Sequence, residues 1–223
     1  MKKKIFLLVT LIAVLACVLS ALTACNVFKK DEPECDNVSR QTDAYFVGES
    51  AQFAVSIEKG KREKTFIADG KATDVVEFCQ ITITPLATNS YESVSFVIAG
   101  GEENSLSGEI TTADYGEYST TVELNFTPTS VTVTAGSDVS EIELANILDG
   151  ALSSADAVNI AREAFKDKLT QESEEGLGER EIYVKIITGD RLNYYYYVSF
   201  IGDGVDYLAM LIDPKTGDIV SKR

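Results

Sequence analysis

Leu211-Ile212-Asp213-Pro214-Lys215-Thr216-Gly217-Asp218-Ile219-Val220 reads as a strand, a turn and a returning strand. Pro214 presets the φ angle that a turn needs, and Gly217 is free to take the left-handed conformation. The apolar pairs on either side, Leu211-Ile212 and Ile219-Val220, mark the flanks as strand. Working back from the turn, Tyr207 to Ile212 is the strand that enters it, and Gly202-Asp203-Gly204 is the hairpin signal before that. Tyr194 to Phe200 is the next strand back, with Tyr194, Tyr196, Val198 and Phe200 on one side. Ile182, Val184 and Ile186 share a face of a further strand, which ends where Gly189-Asp190 begins a turn.

Upstream of these strands the periodicity changes. Ser153-Ser154-Ala155-Asp156 reads as a helix start, with Ser153 as the cap and Asp156 three residues on. Ala157, Ile160, Ala161, Ala164, Phe165 and Leu169 then recur at helical spacing, which predicts a helix ending near Thr170. Gln171 to Glu179 carries four glutamates and two glycines and reads as a mobile loop.

A helix followed by an antiparallel sheet resembles a PepSY domain. The residues that carry the resemblance are Ala157-Val158-Asn159-Ile160-Ala161 in the helix and the Leu211 to Val220 strand-turn-strand, with its Asp-x-x-Thr-Gly turn. It covers roughly residues 153–223. PepSY domains occur in propeptides of secreted metallopeptidases and in bacterial envelope proteins, and have been proposed to inhibit or modulate peptidases. The resemblance therefore implies a helix packed on a sheet, and an envelope protein or peptidase as partner.

From Tyr45 to about Leu148 the pattern is strand after strand. Ala51, Phe53, Val55 and Ile57 alternate with Gln52, Ala54, Ser56 and Glu58 until Lys59-Gly60 breaks the run. Asp69-Gly70 suits a tight hairpin turn. Cys79, Ile81 and Ile83 form one inward set and Val94, Phe96 and Ile98 the next. Tyr118, Val122, Leu124 and Phe126 make the clearest half-buried strand. Short strands at this spacing, with no helix between them, predict an antiparallel β-sandwich of immunoglobulin-like character, without the Cys-Trp-Cys hallmark. Tyr45-Phe46-Val47-Gly48-Glu49-Ser50 and Gly60-Lys61-Arg62-Glu63 resemble lipoproteins of an uncharacterised group of anaerobic Gram-positive bacteria.

The start of the chain supplies an address. Lys2, Lys3 and Lys4 precede an uncharged apolar stretch, Ile5 to Ala24, which is the layout of an export signal. Leu22-Thr23-Ala24-Cys25 resembles a lipoprotein lipobox, which implies cleavage before Cys25 and a diacylglycerol on its thiol. A stretch of roughly 20 apolar residues can also remain as a signal anchor. Both readings put the rest of the chain on the extracytoplasmic face of the cell membrane. The expected organisation is a signal peptide over 1–24, a tether over 25–43, a β-sandwich domain over 44–150 and a PepSY-like α+β domain over 151–223.

Composition excludes several chemistries. Removing residues 1–24 takes away three lysines and no acid, so the formal charge moves from -15 to -18. Such a surface repels nucleic-acid phosphates, and nucleic acid is not an expected partner. The chain has no histidine. That removes Ser-His-Asp and Cys-His catalysis and histidine-rich zinc sites. No phosphate-binding or dinucleotide fingerprint appears, so no cofactor is expected. Behind Cys25, Cys35 and Cys79 either form a disulfide, worth about 4 kcal/mol on the chain-entropy estimate, or stay apart as a tail thiol and a buried thiol.

The remaining candidate sites are surfaces. On a strand, Tyr194 and Tyr196 point one way while Tyr195 and Tyr197 point the other, where they either bind a glycan or peptide or are covered by a neighbouring element. Asp203, Asp206, Asp213 and Asp218 sit near turns, as backbone-capping aspartates do, and lack the spacing of a calcium loop. Glu172, Glu174, Glu175, Glu179 and Glu181 read as a solvated acidic loop. No catalytic residue and no metal site is expected. These readings describe a non-catalytic cell-surface lipoprotein, either a protein-binding or adhesive module or an inhibitor or modulator of a peptidase. Metabolic labelling with palmitate should mark the wild-type chain and disappear in Cys25→Ala; persistent labelling would remove the lipobox assignment.

Overall fold

The alternation around Phe53 becomes strand β2 (Phe53–Glu63), which lies between β1 (Val38–Glu49) and β3 (Val75–Pro85). The computed structural model describes residues 37–87, 91–101, 103–175, 180–190, 193–203 and 206–223. Cys25 and Cys35 lie outside the described residues, as do 176–179 of the predicted acidic loop. Residues Asn37–Arg223 form one compact unit.

The chain continues through β4 (Val94–Gly100), β5 (Ser105–Ile110), β6 (Ala113–Asp114), β7 (Glu117–Thr121), β8 (Pro128–Ala135), β9 (Asp138–Glu143) and β10 (Ala145–Asn146). Two helices follow, α1 (Ser154–Ala164) and α2 (Lys166–Glu174). The last strands are β11 (Glu181–Asp190), β12 (Asn193–Ile201), β13 (Tyr207–Ile212) and β14 (Ile219–Lys222). The protein is mostly β, with an α+β C-terminal part. One sheet has the order β14-β13-β12-β11-β1-β2-β3-β7-β6, with β10 also beside β1; the second is β5-β4-β8-β9.

Phe53, Val55, Ile57, Ile81 and Ile83 of the large sheet pack against Val94, Phe96, Ile98, Val131 and Val133 of the small one in a single buried cluster. Removing that much apolar surface from water is the main stabilising term. The result is a sandwich. Its large sheet runs β1-β2-β3-β7, whereas an immunoglobulin sandwich orders its strands A-B-E-D against C-F-G.

Four details differ from the sequence reading, each for a physical reason. Gly60 does not end β2, because β1 shifts register between Thr42 and Ala44 and passes so close that a Cβ at Gly60 would collide with the Gln41 carbonyl. Only glycine lets the strand continue there. Strand β1 begins at Val38, so 38–43 belong to the sheet rather than to a tether. Tyr118 to Phe126 keeps its burial alternation, but regular pairing stops at Thr121; the stretch beyond crosses from one sheet to the other. Asp69-Gly70 lies in a long loop, 64–74, and not in a tight hairpin, although Gly70 does take a positive φ of 83°.

The helix start is as expected. Ser153 Oγ accepts from the Asp156 amide at 3.1 Å, and Asp156 Oδ2 accepts from the Ser153 amide at 3.3 Å. The helix does not stop at Thr170. It breaks at Phe165 (φ -105°, ψ 8°) and resumes to Glu174. Phe165 turns inward onto the edge of Phe200, 6.1 Å between ring centroids, and Lys222 Nζ donates to the Ala164 carbonyl that the break exposes. Ser153→Ala should lower unfolding stability by about 1 kcal/mol in urea titrations, the usual cost of losing an N-cap.

Candidate functional site

Helix α1 packs on one face of the sheet formed by β11, β12 and β13, against β11 and β12. Its Ala157, Val158 and Ala161 are buried, as are Ile182, Val184, Ile186, Tyr196, Val198, Phe200, Leu208, Met210 and Ile212 of the sheet. These strand residues share one parity, so the residues between them form the opposite face. Tyr196 is 1% exposed and donates its hydroxyl to the Leu152 carbonyl at 2.9 Å. Burial pushes its phenol up to about 12. Tyr194, half-buried, packs 6.1 Å from Tyr45.

Tyr195 and Tyr197 lie on the face away from α1, each half-buried. Cross-strand register sets Tyr197 beside Lys185 and Leu211, and Tyr195 beside Ile187. Tyr183 extends the row toward β1, with Lys185 Nζ 5.9 Å and Arg40 Cζ 5.8 Å from its ring centre. Among the half-buried side chains of this face the charge is Lys185, in a chain with far more acids than bases. Rings on a pleated surface offer wide, stiff contact area with hydroxyl tips, a form suited to peptide or protein contact.

A clamp holds the hairpin end of this module. Arg180 Nε donates to Glu172 Oε2 at 2.7 Å and Nη2 to Glu172 Oε1 at 2.8 Å, while Nη1 reaches the carbonyls of Phe200 and Asp206. Its hydrogen bond to Glu172 raises the guanidinium further, and the same arginine lowers the Asp206 carboxyl by hydrogen bonding. Glu172 is thus a paired residue at the end of α2, not part of a solvated loop. Asp213 Oδ1 accepts from the Lys215 and Thr216 amides at 2.7 and 3.1 Å, and Asp218 Oδ2 from Thr216 Oγ1 at 2.9 Å. Gly217 takes φ 77°. These aspartates shape the turn. Among the described residues no group of three or more Cys, Asp or Glu could hold a metal ion.

The seam between β1 and β11 was not visible in the sequence. These strands pair in parallel, Val38 with Ile182 and Arg40 with Tyr183. The 64–74 loop lies on it: Asn37 Nδ2 donates to the Gly70 carbonyl at 2.8 Å, the Ala72 amide donates to Asn37 Oδ1 at 2.7 Å, and Phe66 meets the edge of Tyr183 at 5.4 Å. Glu181, expected in the solvated acidic group, is fully buried under this loop, and Glu63 is buried beside it. Nothing in the charged run Lys61-Arg62-Glu63-Lys64 marks Glu63 as interior. Among the described residues Cys79 is buried without a disulfide partner, and burial pushes its thiol up to about 11, which disfavours the nucleophilic thiolate; Cys35 lies outside the described residues.

The C-terminal part is therefore an α+β module, one helical layer on one face of an antiparallel sheet. Residues 151–223 match the family model described as peptidase propeptide and YPEB domain, PepSY, and this stretch is a PepSY domain. No curated protein and no solved structure matches the chain. PepSY domains are propeptide or inhibitor modules and are generally non-catalytic. Arg180→Ala should cost about 1–2 kcal/mol, because Glu172 loses its two hydrogen bonds to the guanidinium and keeps only the 4.0 Å ion pair with Lys168; urea titration followed by circular dichroism measures this.

Proposed function

We propose that this chain is a non-catalytic, lipid-anchored protein of the extracytoplasmic face whose PepSY domain binds a peptidase and modulates it. The observation that carries the reading is the PepSY domain at 151–223. Its open sheet face supports it, since Tyr195, Tyr197 and Lys185 give that surface aromatic anchors and a cation. The absence of histidine from the sequence agrees with a partner role, because it removes the commonest hydrolytic constellations. Cys25 as the lipid attachment point would hold this module at the membrane where exported peptidases pass.

The reading is tested with the lipid-free chain from residue 26 onward, mixed with secreted metallopeptidases. A stable complex on size-exclusion chromatography and reduced peptidase activity are expected. Tyr195→Ala combined with Tyr197→Ala should weaken binding about tenfold or more, as loss of aromatic anchors does at interfaces, with the melting temperature little changed. Absence of both complex and inhibition across the panel would remove the proposal.

A further inference from the structure

Glu181 is the first residue of β11 and is 0% exposed; Glu63 is the last residue of β2 and is 5% exposed. Among the described residues Glu181 Oε1 is reached only by the Ser39 hydroxyl, at 3.5 Å, whose one proton also points to the Ile182 carbonyl at 3.3 Å, and Glu63 Oε1 accepts from the Thr73 amide. The Oε2 atom of each is buried with no hydrogen-bond partner among the described residues. Arg62 is engaged with Gln80 and Thr121, and Arg180 with Glu172 and Asp206. Arg40 pairs with Glu58 through Nη2, and its buried Nε has no hydrogen-bond partner among the described residues, yet it is not among the groups that act on Glu181. The groups that bear on Glu181 are Ser39 from β1, Glu63 from β2 and Asp69 from the 64–74 loop, so both charged neighbours are negative. Among the described residues neither carboxylate forms an ion pair, and two dry, unpaired carboxylates are costly. Among the described residues no group of three acidic ligands could hold a metal ion here, and the remaining remedy is a proton.

We propose that a proton on Glu181 is the latch of the β1–β11 seam, holding the 64–74 loop down over Glu63 and releasing it when the proton leaves to solvent. With the proton in place Glu181 is neutral and one of its oxygens becomes a donor. Without it, Glu63 and Glu181 repel each other in a site that water does not reach. The contacts at stake are the Asn37 grip on Gly70 and Ala72 and the Phe66 ring on Tyr183. Release of the loop would lengthen the open tyrosine face by the Tyr183 edge. The latch stands independently of the peptidase reading.

Burial first, then the charges of Glu63 and Asp69, push Glu181 from 4.5 up to about 7. The closed state thus holds a proton that the open, solvated state gives up. Stability of the closed seam is complete below about pH 4.5, falls as pH rises toward 7 and levels off above. No imidazole titrates in this window, because the chain has no histidine.

Hydrogen exchange of the full chain at about pH 5.5 and 8.5, corrected for the intrinsic rate, reads the latch directly. Protection of residues 64–74 and 37–40 should fall roughly tenfold or more at the higher pH. Glu181→Gln should keep the loop protected at both pH values. Glu63→Gln should shrink the change by removing the repelling charge, and it carries the test should the first variant fail to fold. Equal protection of the wild type at both pH values would overturn the latch. So would a full pH response in a folded glutamine variant. Recovery of protection at high pH on stoichiometric calcium binding would also overturn it, in favour of a cation site.

Discussion

The Ile182 amide donates to the Asn37 carbonyl at 2.8 Å, and the Ser39 hydroxyl reaches the Ile182 carbonyl at 3.3 Å. These bonds open the parallel pairing through which one sheet runs from the sandwich into the PepSY domain. Much of the remaining architecture follows from this join. It gives the start of β1 a partner on the side that β2 does not occupy, while β10 pairs with Phe46 and Val47 further along the strand. It also buries Glu181, the residue with which β11 begins.

Helix and sheet divide the PepSY domain into a sealed side and an open side. On the sealed side, α1 and Phe165 close over β11 and β12, and even the Tyr196 hydroxyl is satisfied internally. The open side keeps half-buried tyrosines beside Lys185. A strand that alternates Tyr-Tyr-Tyr-Tyr thus serves packing with one pair and surface with the other. The Arg180 clamp and the Asp213 turn keep the two hairpin ends fixed, so that the surface is carried on stiff elements.

What could be read from the sequence was whatever local chemistry decides. The capping box at Ser153, the turn at Asp213 to Gly217 and the alternation in β2, β3, β4 and β12 depend on neighbours in the chain. The features that escaped depend on distant partners. Gly60 looks like a strand breaker until β1 is seen passing against it. Val122 to Phe126 alternates like a strand, yet its backbone is crossing between sheets. Glu181 and Glu63 look like solvated charges, because only the fold brings the 64–74 loop over them. A parallel pairing between strands this far apart leaves no mark in periodicity.

That separation has a kinetic side. Ser39 and Ile182 are 143 residues apart, so the seam closes a very long loop. Closure on this scale comes late, after the hairpins β2–β3, β4–β5 and β11–β12 have formed from nearby sequence. Until β11 arrives, β1 offers unpaired amides and carbonyls along its free edge, the kind of edge that recruits strands from other chains. A chain emerging N-terminus first would carry that exposed edge through most of its synthesis. The polar run Ser39-Arg40-Gln41-Thr42-Asp43, unusual for an interior strand, keeps the waiting edge soluble.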